Sequence, residues 1–429
     1  MTHQQSIPRK LLAIALPAMV ENLLQMLMGT VDGYLVAVLG LAAVSGVSVA
    51  NNLTAVYQAV FIALGAAVSS SYSAHLARKE EGASRRLMEQ ALTLTILLSL
   101  GLGLLSILMG EQTLALLGTE PRVRQAGGLY LATVGGGILF LGLMTTLGSL
   151  LRSQGKPRLP MYVSLLSNLL NALLSAISVF WLGMGVFGVA LATVLSRMIG
   201  SALLFSALDL GGSRLRWSWR LDQELLRLTL PAAGERLMMR IGDIAIVAII
   251  VSFGTRVVAG NAIGETLTQF NYMPGMGLAT ATVILVARAR GEGSQLEQKK
   301  LVSYSYWIAL VTMGLVSGLI FLLGRPLTAL YTNDSQAVAA SVLVAFYAFI
   351  GTPAMAGTLV MTAVWQGLGN ARLPFYATSL GMWMIRIGLG VLLGIWLKLG
   401  LAGVWIATVA DNVFRWLFLT ALYIKKGRS

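Results

Sequence analysis

Residues Leu11–Gly40 read LLAIALPAMVENLLQMLMGTVDGYLVAVLG. The run is apolar and exceeds the roughly 20 helical residues that span a bilayer's hydrocarbon core. Two of its residues do not suit a lipid-facing helix. Pro17 removes a backbone donor near the start, and Asp32 places a carboxylate far along it. A carboxylate inside a membrane helix is costly, and its usual role is ion or proton binding. The stretch recurs as Leu225–Gly254, LLRLTLPAAGERLMMRIGDIAIVAIIVSFG, at an offset of 214: Leu11 with Leu225, Pro17 with Pro231, Glu21 with Glu235, Gly40 with Gly254. Asp32 falls opposite Ile246. The chain is a duplication whose halves are chemically unequal.

Composition agrees with a polytopic membrane protein. The 429 residues are 56% hydrophobic and 11% charged, with a mean hydropathy of +0.78. The absence of cysteine excludes disulfides, thiol nucleophiles and cysteine metal sites. Two histidines, His3 and His75, do not build a metal or acid–base centre. The first apolar run is too long for a cleavable signal peptide. No GxxxxGK[ST], HExxH or GxSxG occurs, so neither an enzyme nor ATP use is expected, and no cofactor.

Apolar runs number twelve, near 11–39, 43–76, 87–109, 122–151, 158–181, 186–209, 221–252, 257–288, 301–323, 336–367, 372–397 and 402–424. The net charge of +14 sorts by side of the membrane, so no nucleic-acid partner is implied. With the N-terminus inside, 20 of the 31 Lys and Arg lie in cytoplasmic segments. Arg122, Arg124, Arg256, Arg325 and Lys398 lie outside, and Arg197, Arg227, Arg236, Arg240, Arg386 and Arg415 within helices. Basic loops stay in the cytoplasm, so both termini are expected there, in the inner (plasma) membrane. Trp217 and Trp219, among Arg214, Arg216 and Arg220, read as an interfacial anchor between the halves.

The repeat extends beyond the first run. FIALGAAVSSSYSAHLARKEEG (61–82) resembles NYMPGMGLATATVILVARARGEG (271–293), RSQGKPRLPMYVSLL (152–166) resembles WQGLGNARLPFYATSL (365–380), and FGVALATVLSR (187–197) resembles AGVWIATVADN (402–412). Six spans per copy is an even number, so both copies enter the membrane in the same direction. The expected fold is an all-α membrane protein of twelve transmembrane helices in two pseudo-symmetric six-helix bundles, 1–212 and 213–429, a transporter architecture.

Four segments carry a family resemblance: Pro17, Gln25 and Asp32 of the first run; RSQGKPRLPMYVSLLSNLLN (152–171); FGVALATVLSR; and GLGNARLPFYATSLGMWMIRIGLGVLLGIWLKLGLAGVWIATVADNVFRW (367–416). The chain resembles the multidrug and toxic compound extrusion (MATE) family over essentially its whole length. That resemblance implies alternating access and antiport, with export of organic compounds driven by a sodium or proton gradient; a chain with its own two lobes needs no partner to form a pathway, so a monomer is expected. It also implies an N-terminal cation site of Asp32, Asn171 and Thr193. The family's second carboxylate there is replaced by Ser175. A second, C-terminal cation site is missing in its known form, because the relevant positions are Met239 and Met355.

A buried Asp32 needs a proton or a cation to neutralise it. Asp32, Asn171, Ser175 and Thr193 offer one carboxylate and three neutral oxygens. Hard cations take several oxygen ligands, whereas a proton needs Asp32 alone, so loss of the second carboxylate favours the proton. Glu235, Arg236, Arg240 and Asp243 cannot face lipid. They form either a buried ion-pair network with Glu21, Glu265 or Asp411, or a cleft wall suited to an anionic or zwitterionic substrate. With Gln25, Asn168 and Met239 these make the candidate substrate contacts: Glu21, Gln25, Asn168, Glu235, Arg236, Met239, Arg240, Asp243 and Glu265. Arg386 and Arg415 read as structural partners of acids. Gly135, Gly136 and Gly137 permit close helix contact. The rival readings are a lipid-linked oligosaccharide flippase of the same superfamily, a non-transporting membrane module, and a pore.

Overall fold

The computed structural model describes residues 6–116, 118–209 and 223–427, and every regular element among them is helical. In chain order these are α1 (Ile7–Ala37), α2 (Leu41–Ala77), α3 (Glu81–Leu116), α4 (Pro121–Gly136), α5 (Ile138–Ser153), α6 (Arg158–Phe180), α7 (Gly185–Ser206), α8 (Gln223–Val251), α9 (Thr255–Gly291), α10 (Gln295–Leu322), the short α11 (Gly324–Ala329), α12 (Ser335–Gly367), α13 (Arg372–Leu380) and α14 (Leu401–Lys426). π-Helical turns extend α13 over Gly381–Ile387 and Gly390–Trp396. Local chemistry sets the ends. Ser294 caps α10 by accepting from Glu297 N, Asp334 caps α12 by accepting from Ala337 N, and Pro121 starts α4 where its missing N–H costs nothing.

These helices make up twelve spans among the described residues. Among the described residues nine helices are long and apolar enough to cross a membrane, and α4 with α5, bent by 44° at Gly137, makes a tenth. The three-glycine run therefore breaks the fourth span as well as allowing contact. The other two spans are α8 and α14, which carry Glu235, Arg236, Arg240 and Asp243, and Asp411 and Arg415. Outward faces are apolar at helical spacing, as with Leu100, Leu104 and Leu108 on α3 or Val311, Leu315 and Leu319 on α10. Lipid, having no water to offer the backbone, favours such continuous helices. Trp217, Trp219 and their arginines lie outside the described residues, as does His3.

Contacts divide the chain into two packing units, Val20–Thr229 and Met1–Met19 with Leu230–Ser429. The sequence repeat divides the chain at 212/213, whereas the packing division falls inside α1 and α8, within two residues of Pro17 and Pro231. In the first unit the opening turn of α8 is held where Ser71 Oγ donates to Glu224 Oε1 at 3.4 Å. In the second, the start of α1 contributes Leu11, Ile14 and Ala15 to a core with Leu278, Ile284, Met313 and Val360. Lys10 there pairs with Glu297 at 3.2 Å.

The duplication reaches the backbone. Left-handed φ values occur at Gly40 and Gly254, Lys79 and Gly293, and Gly155 and Gly369, each pair 214 apart. They occur again at Gly183 and Lys398, and Gly185 and Gly400, each 215 apart. One residue is therefore gained between these sets, in the span that holds the π-helical turns. The same doubling appears in packing. A Cβ on Gly46 of α2 would stand 2.5 Å from Val123 O of α4, and one on Gly260 of α9 would run into Ala337 O of α12. Small residues let helix backbones approach, which supplies the van der Waals contact that holds membrane helices together.

Candidate functional site

In the Val20–Thr229 unit, α1 presents Asp32 to α6. Both carboxylate oxygens accept from Asn171 Nδ2 at 3.0 Å. Asn171 is buried and turns Oδ1 the other way, accepting from Ser175 Oγ and Thr193 Oγ1, each at 3.3 Å. Ser175 stands one turn further along α6, and Thr193 comes from α7, where it also donates to Val189 O at 3.0 Å. The four residues expected to hold a cation thus lie in one chain: carboxylate, amide, two hydroxyls. Tyr130 of α4 lies beside Thr193. One turn beyond Thr193, Arg197 makes no hydrogen bond or ion pair with a described residue, yet lies in electrostatic reach of Asp32 and Tyr130. The first helices hold no base near Asp32, but α7 supplies one. An amide and two hydroxyls carry no charge, so nothing in contact with Asp32 cancels its own.

The second unit contains a cavity of about 210 Å³. Arg236 and Met239 of α8, Tyr272 of α9, Gln366 of α12, Arg386 of the π-helical span and Arg415 of α14 line it. Beside it runs a chain that parallels the one at Asp32. Arg386 Nη1 donates to Asp243 Oδ1 at 3.2 Å, and Arg386 Nε donates to Thr408 Oγ1 at 3.2 Å. At an offset of 215, Thr408 is the counterpart of Thr193 and Arg386 the counterpart of Asn171. Asp243 sits three residues before Ile246, which faces Asp32 in the repeat and is itself buried in an apolar core with Ile250, Val344 and Val404. A neutral amide bridges acid and threonine in one unit, and a guanidinium does so in the other.

The candidate substrate contacts divide between the units. Glu21 pairs with Arg152 at 2.9 Å, Gln25 is exposed, and Asn168 is partly buried with Nδ2 unpartnered. Glu235, Arg236 and Met239 share the cavity. Glu235 is buried and accepts from Thr378 Oγ1 at 3.3 Å and Gln366 Nε2 at 3.5 Å. Asp243 pairs with Arg386, Arg240 is exposed, and Glu265 lies beside Asn261. Of the two alternatives, an ion pair of Glu235, Arg236, Arg240 or Asp243 with Glu21, Glu265 or Asp411 is not found among the described residues. Glu21 and Asp411 are taken by Arg152 and Arg415, the latter at 2.8 Å. Sequence reasoning left Arg197, Tyr130, Arg386 and Arg415 without a place in either site. The spacing of Arg197, four after Thr193 on one helix face, was the available signal. Among the described residues no three His, Cys, Asp or Glu come together in a way that would hold a metal ion.

The chain matches the MatE family over residues 17–177 and 231–392, one segment in each half of the repeat. The "Probable multidrug resistance protein NorM" of Thermotoga maritima is 28% identical over 423 residues, which cover 95% of this chain and 90% of that protein. A solved MOP superfamily transporter from Pyrococcus furiosus gives a TM-score of 0.90 at 20% identity, covering 99% of this chain and 96% of that one. An outward-facing multidrug resistance MATE family transporter gives 0.89 at 20% identity, covering 99% and 98%. At such identities the structural likeness establishes the shared fold.

Proposed function

The chain belongs to the MatE family, and from that premise we propose that it is a multidrug efflux transporter, an antiporter coupling inward cation movement to export of amphipathic organic compounds. The observation that carries the coupling role is the contrast between the two acids. Asp243 has Arg386 as an internal cation, whereas among the described residues Asp32 hydrogen-bonds the neutral Asn171 amide alone and pairs with no cation. An acid of that kind needs an exchangeable positive charge, and a proton or sodium ion is the exchangeable one. On this reading the ion neutralises Asp32 and loosens its hold on the Asn171 amide. The ion and the substrate then favour different arrangements of the protein, each shifting the equilibrium by its own differential affinity. Ser175 in place of a second carboxylate favours the proton.

The proposal includes an inner-membrane location with both termini in the cytoplasm, supported by the distribution of Lys and Arg. It also includes a functional monomer made of two repeats, 1–212 and 213–429, working without cofactor or enzymatic step. The test is efflux from proteoliposomes of one cationic and one anionic fluorescent dye, under an imposed proton gradient and then a sodium gradient, for wild type and Asp32→Asn. Gradient-driven efflux that the mutant loses supports the reading and names the ion. Efflux equal in wild type and mutant removes Asp32 as the coupling residue. Conductance without gradient coupling points to a pore instead.

A further inference from the structure

The cavity of the second unit has an unbalanced hydrogen-bonding inventory. Its lining presents three guanidinium groups, Arg236, Arg386 and Arg415, against one carboxylate, Glu235. A guanidinium only donates. Arg386 is engaged by Thr408 and Asp243, and Arg415 Nη2 by Asp411 and Asn412. Arg415 Nε is buried without an acceptor among the described residues. Arg236 makes no hydrogen bond or ion pair with a described residue; Glu235 lies in its electrostatic reach but accepts from Thr378 and Gln366. The remaining acids nearby are Asp243 and Asp411, each matched to its own arginine, and Glu265 beside Asn261. The cavity's charged groups therefore leave donors in excess, since the lining acceptor left unpartnered among the described residues is the neutral Asn271 Oδ1, and the remaining wall includes Met239, Met355 and Tyr347. Methionine adapts to varied apolar shapes.

We propose that this cavity binds amphipathic organic acids, with a carboxylate received by Arg236 and Arg415 Nε and an apolar body against the methionines. A cationic ligand would bring further donors to three guanidinium groups. Nor does the second unit offer a cation the arrangement found at Asp32, because Arg386 stands where Asn171 does. The inference deepens the exporter reading and rests on it for its role in transport, but binding is measurable without any gradient.

The test titrates the full-length protein in lipid nanodiscs with three fluorescent probes sharing one apolar body: 2-naphthoate, its methyl ester, and 2-naphthylmethylammonium. The expected order of affinity is carboxylate, then ester, then ammonium. Arg236→Met should weaken naphthoate about 10- to 100-fold, the scale of a lost charged hydrogen bond, and leave the ester within about 3-fold, while Arg236→Lys keeps the order. Met355→Trp, which fills the cavity and leaves every charge in place, should abolish binding of all three. Ammonium binding as tightly as carboxylate overturns the proposal. So does naphthoate binding indifferent to both Arg236→Met and Met355→Trp. Selective naphthoate binding without gradient-driven efflux refutes the exporter and leaves the site standing; efflux without naphthoate binding refutes the site alone.

Discussion

Replacing Arg415 by Met isolates the most buried ion pair in the protein's described residues. Asp411 has no exposed surface, the Arg415 side chain is 5% exposed, and Nη2 donates to Oδ2 at 2.8 Å across one turn of α14. Asp411 Oδ1 has no hydrogen-bond partner among the described residues, and the backbone at Gly381 packs so closely that an added Cβ would run into it. Arg415→Met thus leaves a carboxylate in the interior with neither water nor counter-charge. Breaking a buried pair from one side costs about 3–5 kcal/mol, whereas removing both charges is often near neutral. The double variant Asp411→Asn/Arg415→Met should accordingly recover all but about 1 kcal/mol, giving a coupling of at least about 2 kcal/mol. The assay is reversible unfolding in mixed micelles of dodecyl sulfate and a mild detergent, applied to wild type, both single variants and the double. A single Arg415→Met variant within about 1 kcal/mol of wild type would refute the reasoning, as would a double variant no better than the sum of the singles.

Lys79 adopts φ 60° where its counterpart in the repeat is Gly293 at φ 72°. Relieving that strain with Lys79→Gly should stabilise by about 0.5–1 kcal/mol in the same unfolding assay, and a loss of stability would contradict it. Gly46→Val and Gly260→Val should each cost about 2 kcal/mol or more, because the new side chain meets backbone rather than a movable side chain; stability unchanged in either would show that the helix crossing is looser than drawn. Glu21→Gln removes the counter-charge of Arg152, both side chains being less than 15% exposed, and should cost about 1–3 kcal/mol, with Glu21→Gln/Arg152→Gln recovering most of it. Ser175→Asp restores a second carboxylate beside Asn171 and should confer binding of radioactive sodium on the purified protein; sodium binding no stronger than in wild type would count against the site as a cation locus.

The fold was largely legible because bilayer thickness fixes helix length and duplication writes each span twice. Even α8 and α14, which carry charges in their interiors, read as apolar runs at 221–252 and 402–424. Asp32, Asn171, Ser175 and Thr193 were reachable through family resemblance, and their hydrogen bonds now connect them. The pairs Glu21–Arg152 and Asp243–Arg386 were not, since each joins residues more than 130 positions apart with no local pattern to link them. Arg386 was hidden for a further reason. At the offset of 214 that serves the first four spans it aligns with Ala172, and only the residue absorbed in the π-helical turns brings it opposite Asn171. A one-residue gain that leaves apolar periodicity almost intact is nearly invisible to a reader of hydropathy.

The placement of the first half of α1 also sets a schedule. Leu11, Ile14 and Ala15 are synthesised well before core partners that include Leu278, Met313 and Val360. At roughly 5–20 residues per second, more than 250 residues of synthesis separate Leu11 from Leu278, a wait of roughly 15–50 s. Throughout that interval the nascent amino-terminal segment has to be sheltered by lipid or by the insertion machinery. A segment made well before its neighbours thus reaches them late.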